Sequence, residues 1–145
     1  MITVDRLDEL ISSTYTSHEL SLIGWTDVTE DDKRALINKA DKEIDKGMYI
    51  GDCLEDDQAH VFPRIYDGEV YGIDCVEDAI VNYIYNHLYI EKDERMQAIK
   101  VGISSIKVAE ASESYTSNSN NSNLIHNLEV EYKGYLSDYI YRGVY

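Results

Sequence analysis

The chain is poor in the residues that punctuate and cross-link a fold. It has one proline, one phenylalanine, one tryptophan and two cysteines in 145 residues. Cys53 and Cys75 form no CxxC pair and have no histidine at metal-ligand spacing, so they read as reduced thiols and exclude a disulfide scaffold. No apolar run approaches the length of a membrane-spanning helix. The opening "MITVDRLDELISS" has no basic region followed by an apolar core, so no signal peptide is expected. Asn120-Asn121-Ser122 matches a glycosylation sequon, which reads as coincidence within an Asn/Ser tract. Bases are scarce too: 13 Lys and Arg stand against 28 Asp and Glu, a formal net charge of −15. Such a chain cannot replace counterions along phosphate, which argues against non-specific nucleic-acid binding. It is also disfavoured at anionic membrane surfaces.

The familiar site motifs are missing as well. There is no P-loop, dinucleotide-binding glycine turn, HExxH or GxSxG. The acidic run Asp52, Glu55, Asp56 and Asp57 lacks the alternate ligand spacing, central glycine and terminal glutamate of a calcium loop. His18, His60, His87 and His126 share no motif. The expectation is a non-enzyme without metal or cofactor.

What is present is tyrosine, thirteen of them, in a chain that is 43% hydrophobic. Tyrosine pairs a large apolar ring with a hydroxyl that must stay wet or bonded, so it suits half-buried surfaces and interfaces. The length fits one domain with one core, residues 1–145.

Periodicity predicts three good helices, one weak one and one extended piece. Residues 3–12 form the weak helix, with Val4, Leu7 and Leu10 or Ile11 on one face. "STYTSHELSLIGW" reads as irregular. Thr29 is placed to cap a second helix, in which Leu36, Ala40, Ile44 and Met48 recur four apart. Gly47 or Gly51 would end it. Residues 49–73 hold three glycines, the proline and no sustained period, and read as a long ordered loop. The clearest helix runs from about Asp74, its expected N-cap, to Glu94. Val76, Ala79, Ile80, Tyr83, Ile84, His87 and Leu88 repeat at three and four, and "ERMQAI" could continue it. "KVGISSIKVAEASESYT" is rich in Val, Ile, Ser and Thr and reads as extended. Residues 117–123 form a flexible Asn/Ser connector. A last helix spans about 123–142, with Arg142 at its negative end and Gly143 as C-cap. The expected fold is mainly α, a small helical bundle with a long loop and one β-like segment.

Within the loop, "DDQAHVFPRIYDGEVYGID" puts the only Phe-Pro pair of the chain beside an arginine. Proline fixes its own backbone and drives Phe62 away from helix. Phe62 could pin the loop to the helices, leaving Arg64 to pair with a carboxylate, in this subunit or a neighbour.

The order of segments carries a resemblance. "INKADKEID" on a helix, then "DDQAHVFPR", a glycine turn and "VEDAIVNYIYNHL" resemble the head–tail connector, or adaptor, proteins of long-tailed bacteriophages. Gln58, Ala59, Phe62, Pro63 and Arg64 stand in that family's Gln-Ala-aromatic-Pro-Arg box, and Trp25 precedes the first matched helix. "VGISSIKVAEASESY" and "YKGYLSDYIYRG" are similar to the family's later segments, so the likeness covers roughly residues 20–143. The chain departs from it in having Phe62 where members often have Trp or Leu, in lacking a proline before the second matched helix, at Asp74-Cys75, and in its "SNSNNSN" insert.

The resemblance implies a structural virion protein assembled in the host cytoplasm. It would form a homo-oligomeric ring of twelve copies in the neck, between the portal and a downstream neck or stopper protein. Packaged DNA would pass through without specific binding. Twelve copies would carry about −180 formal charges, which would repel a sliding duplex. The loop pin is then Phe62, Pro63 and Arg64. The expected subunit and portal interface is Tyr135, Tyr139, Tyr141, Arg142, Val144 and Tyr145, with residues 143–145 as a contact tail. Ile103 and Ile106 would supply a second inter-subunit contact. Some family members carry a single-strand DNA-binding label, which the charge balance opposes. A small acidic regulatory or protein-binding module is the other alternative.

Overall fold

The computed structural model describes residues 2–105 and 123–140. Helix α1 spans Val4–Thr14, α2 Ser17–Leu22, α3 Glu30–Asp45, α4 Asp74–Lys92 and α5 Glu94–Ser105. A sixth helix, α6, covers 123–130 and passes directly into a 3-10 helix, Glu131–Tyr139. Between α3 and α4 lies a three-stranded antiparallel meander: β1 Asp52–Cys53, β2 Arg64–Tyr66 and β3 Glu69–Tyr71, in spatial order β1-β2-β3. The protein is mainly helical, as the periodicity predicts.

The central element is α4. Of its expected stripe Ala79, Ile80, Ile84 and Leu88 are buried while Val76, Tyr83 and His87 are half-buried, and Val81, Asn82, Tyr85 and Asn86 on its other sides are buried as well. Helices α1 and α3 and the 3-10 segment all pack on it. Leu7 and Ile11 of α1, Ile37 and Ile44 of α3, and Leu136 of the 3-10 helix meet Ile80 and Ile84 in one core. A smaller cluster joins Ile90 of α4, Met96 and Ile99 of α5, and Ile125 of α6. Two ion pairs tie the helices: Arg6 Nε to Glu77 Oε2 at 2.8 Å, and Lys33 Nζ to Asp8 Oδ1 at 2.8 Å. The same lysine lies over the Trp25 ring, 4.6 Å from its centroid.

Local chemistry explains most helix ends. Thr29 caps α3 as expected, its hydroxyl accepting from Asp32 N at 3.2 Å. Helix α3 stops at Asp45, and Gly47 N donates to Ile44 O at 3.1 Å. Asp74 is not the cap of α4. It occupies the first helical turn with Glu77, where their charge meets the positive end of the helix, and Ile73 takes the cap position without a side-chain bond.

Five other expectations are corrected. The stretch read as irregular holds α2, opened by a capping box in which Thr16 and Glu19 bond each other's backbone N–H groups. The long loop contains the β-meander. "ERMQAI" does not extend α4: Asp93 breaks from helical dihedrals and its carboxylate accepts from Met96 N at 3.0 Å, starting α5 afresh. Residues 101–105 are helical, not extended. The cap at Asp93 and the packing of Met96 and Ile99 on α4 outweigh the β preference of Val101 and Ile103. The C-terminal helix is not α throughout. From Glu131 it winds as a 3-10 helix, through a stretch weakened by Gly134. The rest of the expected extended segment, 106–116, and nearly all of the Asn/Ser connector lie outside the described residues.

Candidate functional site: the Phe-Pro-Arg box and the surface around it

Three groups hold the box in place: the end of α3, the meander itself, and the C-terminal segment. Asp45, the last residue of α3, grips the loop twice. Its Oδ1 accepts from Val61 N at 3.1 Å and its Oδ2 lies 2.7 Å from His60 Nδ1. Gln58 closes the loop on itself, accepting from Glu55 N at 3.0 Å and donating to the carbonyls of His60 at 2.8 Å and Pro63 at 2.9 Å. Ala59 is exposed.

Phe62 is 7% exposed and belongs to the main core. Its ring sits 4.4 Å from that of Tyr49 and edge-on to Tyr71 at 6.0 Å. The third wall is backbone. Gly72 has φ +87°, and a Cβ there would come within 2.1 Å of Phe62 Cδ1. Burial of the ring contributes about 2 kcal/mol. The Phe62-Pro63 peptide bond is cis.

Among the described residues Arg64 meets no carboxylate. Its guanidinium turns onto main-chain carbonyls: Nε donates to Ile50 O at 2.9 Å, Nη1 to Val61 O at 3.3 Å, and Nη2 to Tyr49 O at 3.3 Å and to Gly51 O. Cys53 Sγ lies 3.6 Å from Nη1. One planar fork thus ties the turn at 49–51 to Val61 through their carbonyls. Glycine is required at 51, where a Cβ would come within 2.2 Å of Ile65 O.

The C-terminal segment is stitched to the same place. Ile50 N donates to Tyr139 O at 2.9 Å, and Tyr49 bridges Ile140 in antiparallel fashion. The Tyr139 ring stacks on Tyr71 at 4.5 Å, and the Tyr71 hydroxyl donates to Ile50 O. Tyr49 donates its hydroxyl to Ile44 O at 2.8 Å, and burial pushes its pKa up to about 12. Further along, Asn82 Nδ2 donates to Glu131 Oε1 at 2.7 Å and Asn86 Nδ2 to Leu128 O at 3.0 Å. These buried asparagines clamp α6 and the 3-10 helix to α4. Their place on an otherwise apolar stretch, "VNYIYNHL", was the available sequence signal.

The expected interface residues separate. Tyr139 is half-buried and its ring stacks on Tyr71 within the chain. Tyr135 is 45% exposed. Ile103 lies in α5. Ile106, Tyr141, Arg142, Val144 and Tyr145 lie outside the described residues, as do the expected cap at Gly143 and the contact tail 143–145.

Around His60 the acids gather. Asp41 is 5% exposed, its Oδ2 has no hydrogen-bond partner among the described residues, and His60 Nε2 stands 3.9 Å away. Burial raises the Asp41 carboxyl above its ordinary range, and His60 works against that rise. The adjoining cleft, about 250 Å³, is walled by Ile44, Phe62, Pro63, Ile73 and Ile80. Among the described residues, no group of three or more His, Cys, Asp or Glu could hold a metal ion. No described helix is long and apolar enough to cross a membrane.

Comparison with protein-family models, with curated proteins and with solved structures found no match.

Proposed function

We propose that the chain is an adaptor subunit of a phage head–tail connector, a structural protein of the virion neck. The observation that carries this reading is the order of the matched segments. The helix with "INKADKEID", the box, the acidic helix and the C-terminal Leu-x-x-Tyr segment follow one another as in that family. The box residues also act together: Gln58, Phe62 and Arg64 are spent inside the subunit, closing one unit with α3 and the C-terminal segment. A repeated subunit of a ring needs a rigid body of this kind, with two different complementary faces. On this reading Tyr135 and residues 141–145 supply the contact with the portal, and residues 101–116 the second inter-subunit contact. The net charge of −15 fits a channel through which DNA slides without being held.

The test is light scattering and negative-stain imaging of the pure protein, alone and mixed with the portal protein from the same genome. Subunits that join the portal as a ring are expected. Deletion of residues 143–145 should abolish docking while leaving the subunit folded. A monomer that ignores the portal would overturn the reading and leave a small acidic binding module.

A further inference from the structure

The meander is apolar on the side that faces water. Side chains alternate along a strand, and cross-strand partners share a face. Arg64 pairs with Tyr71, and both point inward, to the carbonyls and to Phe62. The next pair, Ile65 and Val70, therefore points outward, with Asp52 beside Ile65. Leu54, whose N donates to Pro63 O at 3.2 Å, extends the same face. Leu54, Ile65 and Val70 are 43%, 37% and 48% exposed. A sheet with one solvated face ordinarily places polar residues there.

We propose that this outer face is a docking surface for a different protein, one whose contact region carries apolar side chains among lysines and arginines. The charge around the patch selects that occupant. Asp52, Glu55, Asp56, Asp57, Asp67 and Glu69 are all exposed. The only Lys or Arg between Lys46 and Lys92 is Arg64, and its guanidinium is already held by four carbonyls. An apolar patch with an acidic rim attracts a basic-rimmed partner and repels a second copy of itself. Among the described residues β3 pairs only with β2, so its other edge is open beside Val70 for an extended segment. The surface is independent of the connector reading, because it rests on register and charge alone.

A ten-residue peptide alternating valine and lysine is the probe, with a valine–glutamate peptide as control. Binding to the full isotope-labelled chain is read by amide chemical-shift changes in 50 and 300 mM salt. The lysine peptide is expected to shift residues 52–73 saturably and to weaken at high salt. The double variant I65S/V70S changes only the outward pair and leaves Phe62, Arg64 and Tyr71 in place; an unchanged amide spectrum outside residues 52–73 shows its fold kept, and its affinity should fall at least tenfold. No shifts, equal binding of the glutamate peptide, or unchanged binding by I65S/V70S would overturn the proposal. So would self-association of the free chain that I65S/V70S abolishes, since that would give the face to a second copy. The portal plays no part here, so failure of this test and failure of the connector reading are separate events.

Discussion

The ring of Phe62 fills the space that any side chain at position 72 would need. A Cβ on Gly72 would meet Phe62 Cδ1 at 2.1 Å, and the backbone of Gly72 is already at φ +87°. The two residues are one fitting: the aromatic ring closes the core, and the missing side chain makes room for it. Phe62→Ala should cost about 3 kcal/mol, the usual scale for emptying a buried aromatic site. Gly72→Ala should cost a similar amount by clash and by left-handed strain. The double variant should lose less than the two singles together, because the ring that the new methyl strikes is gone. Denaturant unfolding of the four proteins checks this, and strict additivity would refute the fitting.

Arg64 makes a different kind of bond from the one its sequence setting invites. Its donors end on the carbonyls of Tyr49, Ile50, Gly51 and Val61. A lysine keeps the charge but cannot span that turn with a planar fork. Arg64→Lys should therefore destabilise by about 2 kcal/mol, from the unmet carbonyls. Raising salt from 50 to 500 mM should leave this loss unchanged, since the partners of Arg64 among the described residues are neutral carbonyls. A loss that vanished in salt would point to a carboxylate partner instead.

Much of the helical frame was legible because it follows from period and caps. Thr29 with Asp32 marks the start of α3, and the apolar repeat from Val76 to Leu88 marks α4. Two further local signals lie in the sequence. Thr16 and Glu19 stand at capping-box spacing. Asp67-Gly68, between "RIY" and "EVY", is the hairpin turn that needs positive φ at both residues, and both have it, at 51° and 80°. Other features were not local and could not be read along the chain. Whether residues 101–105 are helix or strand was decided by contacts of α5 with α4. The carbonyl cage of Arg64 depends on a turn thirteen to fifteen residues away. The outward Ile65–Val70 pair depends on register, which a shift of one residue would have reversed.

Tyrosines split into structural and free ones, and the split is measurable. Tyr139 stacks on Tyr71 at 4.5 Å within the seam that joins the C-terminal segment to the meander. Tyr139→Ala should cost about 1.5 kcal/mol and expose residues 123–140 to faster amide exchange. Tyr135→Ala should change stability by less than about 0.5 kcal/mol, because its ring is on the surface. If Tyr135 faces the portal, its loss will appear only in docking. Equal destabilisation by both variants would remove the distinction.

The buried Asp41 gives a pH-dependent prediction whose sign follows from burial. Desolvation raises its carboxyl above the unfolded value, with the opposing pull of His60 second, and Asp45 adds a smaller raising effect. The folded state thus holds the proton more tightly than the unfolded one. Asp41 costs nothing at a pH below its unfolded value. As pH rises through that value toward the folded one, the unfolded chain ionises first and stability falls; above both, the penalty is complete. Asp41→Asn keeps the shape without the charge, so it should stabilise the protein at pH 7 by about 1 kcal/mol. The gain should fade to nothing near pH 3. It should grow in a His60→Gln background, where no imidazole remains to offset the carboxylate, with Asp45 still beside it. Thermal unfolding of the four proteins across pH 3 to 7 measures this. A destabilising Asp41→Asn at pH 7 would mean that the Asp41–His60 attraction outweighs burial.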